Sequence, residues 1–193
     1  IKASKDKFKR QIGWMPRVHP FVLQSGRILL PIYSDGFCLG LVAISDDLGE
    51  TWQASKPMVG IGLNQPTIVQ KNNGTLVAYM RNEGIKPMRV LKSESTDDGE
   101  TWSFAEFTDI PNPETSLEVI ELDDGTWLMI FNDTEEGRHS LAAAISDDEG
   151  KSWKWKKHIA LAEPRQKSFS YPSVIQAKDD MVHVTYSYAA GPE

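Results

Sequence analysis

One eight-residue pattern occurs three times in the chain: SDDLGETW at 45–52, STDDGETW at 95–102 and SDDEGKSW at 146–153. All three copies fit Ser-x-Asp-x-Gly-x-x-Trp, and their tryptophans are 50 and then 51 residues apart. A motif that returns at a fixed period of this length is typical of repeat proteins, in which each copy is one supersecondary unit. The fold therefore depends on how these units stack.

A second shared pattern precedes each box: SGRILLPIY at 25–33, NGTLVAYMR at 73–81 and DGTWLMIFN at 124–132, with a fourth copy, DDMVHVTYSY, at 179–188. Short apolar stretches alternate with turn residues, and no 11-residue window has a helical period. Four antiparallel strands in about 50 residues are typical of a propeller blade. The sequence thus predicts an all-β fold, a single partial β-propeller domain over 1–193 with about three and a half four-stranded blades. The predicted units are 17–59, 64–109, 115–161 and 171–188.

The box itself has a structural explanation. Asp47, Asp97 and Asp148 are predicted to accept backbone N–H bonds inside a hairpin turn, where the following glycine supplies a positive φ. Residues that are identical in every repeat usually serve what every repeat needs, which is the fold. This reading is favoured over catalytic carboxylates or calcium ligands.

The composition excludes several classes of protein. The 193 residues are 40% hydrophobic and 25% charged with a formal charge of −6, which indicates a folded globular chain. No stretch approaches the ~18–20 apolar residues that span a bilayer, and the acidic balance argues against a nucleic-acid partner. Cys38 is the only cysteine, so an internal disulfide or a multi-cysteine metal site is excluded, and no metal or cofactor is expected.

The chain starts with Ile1 and lacks the apolar run of a signal peptide at its start. The interpretation is a processed or truncated N-terminus. The compartment stays open: secreted or periplasmic in a bacterium if the precursor carries a signal peptide, and otherwise cytoplasmic.

The three boxes, each behind a strand of the Gly-x-Leu type, resemble the Asp-box (BNR) repeats of the sialidase superfamily. This resemblance covers essentially the whole chain and implies a six-bladed β-propeller. Six blades of about 50 residues need about 300 residues, so the chain is expected to be blades 3 to 6 of six. Alternatively it is a protomer that completes its ring by self-association, because a propeller has to close to hide its edge strands.

In a propeller the first residues of each inner strand reach the mouth of a central funnel, where function is grafted onto the repeat. These residues differ between the units. They are Arg17-Val18-His19-Pro20, Asn64-Gln65-Pro66, Thr115-Ser116-Leu117-Glu118 and Ser170-Tyr171-Pro172. The alternative is that they only begin strands, with three prolines that stiffen the entry.

The resemblance to sialidases implies roles for several residues. Tyr171 is similar to the tyrosine nucleophile of the last blade, while Arg81 and Arg138 are similar to two arginines of the clamp for the substrate carboxylate. A guanidinium group matches a carboxylate bidentately and stays charged. Gln65 stands where the family has the glutamate that deprotonates the tyrosine, and glutamine cannot take that proton. Glu118 could serve instead, or could be an ordinary funnel contact.

His19 beside Arg17 is a further candidate because its unperturbed pKa is near neutrality. It could act in a uronate-directed lyase or glycosidase, or it could simply be hydrogen-bonded at a strand start. Asn64 and Gln65 complete the predicted substrate-binding residues with Arg17, Arg81 and Arg138. The expected function is an exo-acting, sialidase-like glycoside hydrolase with an acidic carbohydrate substrate. The alternative is a non-catalytic propeller that binds glycan or protein.

Overall fold

The structure, a computed structural model, describes residues 13–191, and every regular element in that range is a β-strand. The first sheet contains β1 (Met15–Pro16), β2 (Phe21–Val22), β3 (Ile28–Ser34), β4 (Leu39–Ser45) and β5 (Gln53–Ala54). The second contains β6 (Leu63–Gln70), β7 (Leu76–Asn82), β8 (Arg89–Ser95) and β9 (Glu106–Pro111). The third contains β10 (Glu118–Glu121), β11 (Trp127–Asn132), β12 (Ser140–Ser146) and β13 (Trp155–Leu161), and the last pairs β14 (Lys167–Gln176) with β15 (Val182–Ala190).

Each sheet is an antiparallel meander whose strands pair in chain order. In the first sheet the inner strand is interrupted, so that β1 and β2 both pair with β3. Residues 13–191 therefore form three complete blades and the inner half of another, which confirms the all-β propeller fold and the predicted number of blades. The last strand of the second sheet begins at Glu106, after the N–H of Ser103 has donated to the carbonyl of Glu94 and the N–H of Ala105 to the carbonyl of Val59.

The blades stack face to face, and the alternation of side chains along a strand explains how. Strand β7 is buried on both faces: Leu76 and Met80 pack against the first sheet, whereas Val77 and Tyr79 pack against the third. A third apolar cluster, which includes Ile130, joins the third sheet to β14. A leucine buried in such a layer stabilises the fold by about 1.5–3 kcal/mol, so the stacking of successive sheets holds the arc together.

The three boxes form the same turn between the third and fourth strand positions of their sheets. In the last box, Asp148 Oδ1 accepts the N–H of Ser152 at 2.8 Å and the hydroxyl of Ser146 at 2.8 Å. The other two boxes repeat these bonds at equivalent atoms. The glycine φ values are 92°, 88° and 76°, which confirms the structural role predicted for the box.

Candidate functional site

The strand registers define which residues of the four inner strands are equivalent. In every sheet one inner-strand residue pairs with a residue eight positions later on the second strand. These pairs are Phe21–Leu29, Val69–Val77, Ile120–Leu128 and Ile175–His183. Counting back two residues from the first member of each pair gives His19, Thr67, Glu118 and Ser173, which we call the lower ring. Counting back four gives Arg17, Gln65, Ser116 and Tyr171, the upper ring.

Residues of the lower ring tie the inner strands together. His19 Nδ1 lies 2.6 Å from Glu118 Oε1, although the two residues belong to the first and third sheets. The second oxygen of Glu118 accepts the N–H of Val174 on β14 at 2.7 Å. Thr67 Oγ1 accepts the N–H of Val119 at 3.3 Å. Strands that are far apart in sequence thus converge around one axis.

The Glu118 side chain has no exposed surface, whereas 42% of the His19 side chain is exposed. The hydrogen bond that the Glu118 carboxylate accepts raises the pKa of His19. The charge of the same carboxylate makes a smaller contribution, while burial opposes the shift. Glu118 therefore fixes the orientation of the imidazole and favours its protonated form. The exposed part of the ring lies beside a cavity that Phe21 and Ile120 also line.

In the upper ring, two guanidinium groups lie over the ring of Tyr171. Arg17 Cζ is 5.3 Å and Arg138 Cζ 5.7 Å from the centroid of the Tyr171 ring, distances typical of cation–π contacts. Arg17 Nη2 also donates to the carbonyl of Pro172 at 2.7 Å. Burial lowers the pKa of Arg17, opposed chiefly by the charge of Glu118, and a guanidinium stays charged at any physiological pH. With 41% of Tyr171 exposed, the phenol is accessible beside two positive charges.

The backbone at Tyr171 has the same unusual conformation as the backbone at Gln65. Their φ values are 52° and 50°, each residue precedes a proline, and each lies where the ladder to the second strand is shifted. A non-glycine residue in the left-handed region costs of order 1–3 kcal/mol and persists only where its surroundings enforce it. Such bulges often redirect a side chain beside an active site. Here the bulge in β14 directs Tyr171 toward Arg17 and Arg138.

Arg81 belongs to a neighbouring group of polar residues. Its Nε lies 2.9 Å from Glu83 Oε1, close enough for an ion pair, although its N–H points off that line. Asn64 Nδ2 donates to Glu83 Oε1 at 3.3 Å and to Asp35 Oδ1 at 3.1 Å. Burial is the main cause that raises the pKa of Glu83, and the charges of Asp35 and Glu114 add to it, while Arg81 and Asn64 oppose it.

Glu114 lies between the two groups. Its carbonyl accepts a hydrogen bond from Arg138 Nη2 at 3.4 Å, and its carboxylate lies against Gly84, where a Cβ would overlap it. The structure thus brings Arg17 and Arg138 over the ring of Tyr171. In the neighbouring group, Glu83 lies between Arg81 and Asn64, and Glu114 connects this group with Arg138.

Sequence analysis missed Asp35 and Glu83, although a signal was present. The residue that directly follows the second strand of each complete sheet is acidic: Asp35, Glu83 and Asp133. At 133 the carboxylate binds Lys156 at 2.7 Å instead of an arginine, so the repeated position has acquired different partners.

Buried polar atoms without a hydrogen-bond partner concentrate around the upper ring and Arg81. Among the described residues there are seven such side-chain atoms, and five belong to this region: Arg17 Nε, Gln65 Oε1, Arg81 Nε, Thr115 Oγ1 and Ser116 Oγ. Buried polar groups are nearly always hydrogen-bonded in proteins. These donors and acceptors are available to a polar ligand.

Residues 13–191 contain no group of three or more His, Cys, Asp or Glu side chains placed to hold a metal ion. Within the same residues, no helix is long and apolar enough to cross a membrane.

Comparison with known proteins supports the architecture. The profile of the BNR repeat-like domain matches residues 12–184. No curated protein matches the chain. A crystal structure of a protein of unknown function from Dyadobacter fermentans superposes with a TM-score of 0.75 at 22% identity, over 93% of this chain and 51% of that one.

Two sialidase structures are also similar. A mutant of the NanB sialidase from Streptococcus pneumoniae has a TM-score of 0.70 and 22% identity, over 86% of this chain and 26% of its own. The intramolecular trans-sialidase from Ruminococcus gnavus, in complex with oseltamivir carboxylate, has a TM-score of 0.71 and 23% identity, over 86% and 38%. At this identity the similarity establishes the fold, and the chain spans about half or less of the length of these structures.

Proposed function

Since the chain belongs to the BNR repeat-like domain family and has the β-propeller fold of the sialidase superfamily, we propose that the full-length protein hydrolyses glycosides of a carboxylate-bearing sugar. The observation that carries this proposal is that the guanidinium groups of Arg17 and Arg138 both lie over the ring of Tyr171. Two fixed positive charges beside a potential nucleophile suit a substrate whose anomeric centre carries a carboxylate.

In this proposal Arg17 and Arg138 bind the substrate carboxylate, and the Tyr171 oxygen attacks the anomeric carbon. The phenolic proton of Tyr171 passes to the oxygen of the leaving alcohol as the bond between that oxygen and the anomeric carbon breaks. Water then displaces the tyrosine oxygen from the anomeric carbon, gives one proton back to that oxygen and leaves its hydroxyl group on the sugar. An uncharged phenol approaches an anionic centre without the repulsion that a carboxylate nucleophile would meet.

The neighbouring group around Arg81 is proposed to bind the remainder of the sugar. Because Glu83 already contacts Arg81, a substrate carboxylate would compete with Glu83 there. Hydroxyl groups would not, since they can donate to Glu83 and Asp35 and accept from Asn64. The unpartnered Gln65 Oε1 adds another acceptor.

The test measures turnover of the full-length protein on a fluorogenic sialoside and on a panel of glycosides of uronic acids. Tyr171→Phe should abolish turnover while calorimetry still detects binding of the same compounds. Tyr186→Phe is the matched control, because Tyr186 packs edge-on against Phe169 and has no arginine over its ring. Equal turnover by the wild type and Tyr171→Phe would refute the nucleophilic role.

The His19–Glu118 pair supports a second candidate function. An imidazole that is held by a buried carboxylate can transfer a proton, as a lyase or glycosidase directed at uronates requires. In that case turnover survives Tyr171→Phe and is lost in His19→Gln. Binding of acidic glycans without turnover of any of them would instead indicate a non-catalytic glycan-binding propeller.

A further inference from the structure

A cavity of about 510 Å³ lies between the loop after β11 and the loop after β13. Its charged and titratable lining residues are Glu135, Glu136, Arg138, His139, Arg165 and Lys167. We call it the side cavity. None of the functional roles considered above uses it, apart from that of Arg138.

Backbone hydrogen bonds hold the walls of the side cavity in place. The N–H of Ala162 donates to the carbonyl of His139 at 2.9 Å, and the N–H of Phe169 donates to the carbonyl of Arg138 at 2.7 Å. Arg165 itself has a φ of 65°, in the left-handed region that non-glycine residues rarely adopt. The two loops are therefore joined to each other at both sides of Arg165, and the cavity is part of the fold.

The charges around the side cavity favour an anion. Arg138, Arg165 and Lys167 contribute three positive charges. Of the two carboxylates, Glu135 is paired with Arg89 at 2.6 Å, and Arg89 does not line the cavity. Apart from Arg138, the lining thus has two positive charges, on Arg165 and Lys167, against the single remaining carboxylate of Glu136. Lys167 Nζ also lies 6.0 Å from the centroid of the Tyr188 ring. This cation–π contact restricts the movement of the ammonium group.

Arg138 connects the side cavity with the candidate site, since its guanidinium group faces the Tyr171 ring at 5.7 Å and it also lines the cavity. A sugar bound over Tyr171 would therefore have its neighbouring residue beside Arg165 and Lys167. We propose that the side cavity is a subsite for a second anionic group, carried by the sugar next to the one that is cleaved. The preferred substrates are then acidic oligosaccharides with at least two negative charges. This inference rests on the proposed function for the identity of the substrate, but not for the binding of the anion.

The experiment uses the full-length Tyr171→Phe protein, so that binding is measured without turnover. Calorimetry compares a uronate-containing disaccharide that carries a sulfate ester on its second sugar with the same disaccharide after desulfation. We expect the sulfated compound to bind about fivefold to tenfold more tightly, as two exposed ion pairs provide. The difference should shrink when the salt concentration rises, because exposed charges are screened.

Adding Arg165→Gln and Lys167→Gln should remove the preference for the sulfated compound and leave binding of the desulfated one unchanged. The control adds Lys157→Gln and Lys178→Gln, which remove the same charge from exposed positions outside the cavity and should keep the preference. Equal affinity for the two disaccharides, no binding of either, or a preference that persists without Arg165 and Lys167 would overturn the subsite. Absence of turnover in the wild type would instead contradict the proposed function and leave the subsite standing.

Discussion

Replacing Glu118 with glutamine tests whether a buried carboxylate controls His19. Glutamine keeps an acceptor for the Val174 N–H but removes the negative charge that lies 2.6 Å from the imidazole. A hydrogen bond to a charged group contributes ~1.5–3 kcal/mol in a buried setting. Because 42% of the His19 side chain is exposed, solvent screening reduces this to about 1 kcal/mol.

The sign of the pH dependence follows from the raised pKa of His19. A group whose pKa is higher in the folded protein binds its proton more tightly there, so it stabilises the fold below its unfolded pKa. This contribution is complete below the ordinary histidine value of 6.5 and is lost as the pH rises through the folded pKa. Glu118→Gln should therefore destabilise the protein by about 1 kcal/mol at about pH 5.5 and by less at about pH 8.5.

Two measurements on the full-length protein check this prediction. Urea unfolding at both pH values gives the loss of stability, and NMR titration of the imidazoles, with His19→Gln for assignment, gives the direction of the pKa change. Glu118→Leu is the comparison, because it also leaves the buried Val174 N–H without an acceptor and should cost a further ~1–3 kcal/mol at both pH values. An unchanged His19 titration in Glu118→Gln would refute the electrostatic coupling.

Three further predictions concern the fold. Gly150→Ala should lower the free energy of unfolding by about 2–4 kcal/mol, and Gly49→Ala by only about 1 kcal/mol. Both glycines have a positive φ, but only a methyl group at position 150 overlaps Trp127 and a buried tyrosine, so similar losses in urea unfolding would contradict this. Asp148→Asn should make stability, followed by circular dichroism, fall less steeply as the pH is lowered. Hydrogen bonds lower the pKa of Asp148 to about 2, so its carboxylate stabilises the fold fully above pH 3.8 and loses this effect as the pH falls toward about 2. Trp127→Ala should cost about 3–5 kcal/mol in chemical denaturation and the half-exposed Trp155→Ala less than about 1, a ranking that a reversed order would disprove.

Much of the fold could be predicted because its signals are local. The hydrogen bonds of a box, such as those that Asp97 accepts from Ser95 and Thr101, join residues within one stretch of eight. The turn is therefore encoded where it occurs. Strand alternation is equally local, which is why the period of about 50 residues predicts the blades. The start of β9 at Glu106 is not encoded in this way, since where an edge strand begins depends on its pairing with Arg89–Ser95 rather than on its own residues.

The candidate site could be predicted only in part. Fixed offsets from the repeat place Arg17, Gln65 and Tyr171 at equivalent strand starts, and this much is readable from the chain. Their partners are not, because Arg17 meets Tyr171 across two sheets that are far apart in the sequence.

The sequence by itself determined the blade, its box and the order of the strands, since each of these is stabilised by atoms that are near neighbours along the chain. Tertiary structure alone decided that Arg17 meets Tyr171 and that His19 meets Glu118, across 154 and 99 residues of chain. The physical reason is that such contacts depend on how far each sheet is rotated about the common axis, and that rotation is set by the summed packing of the apolar layers between the blades.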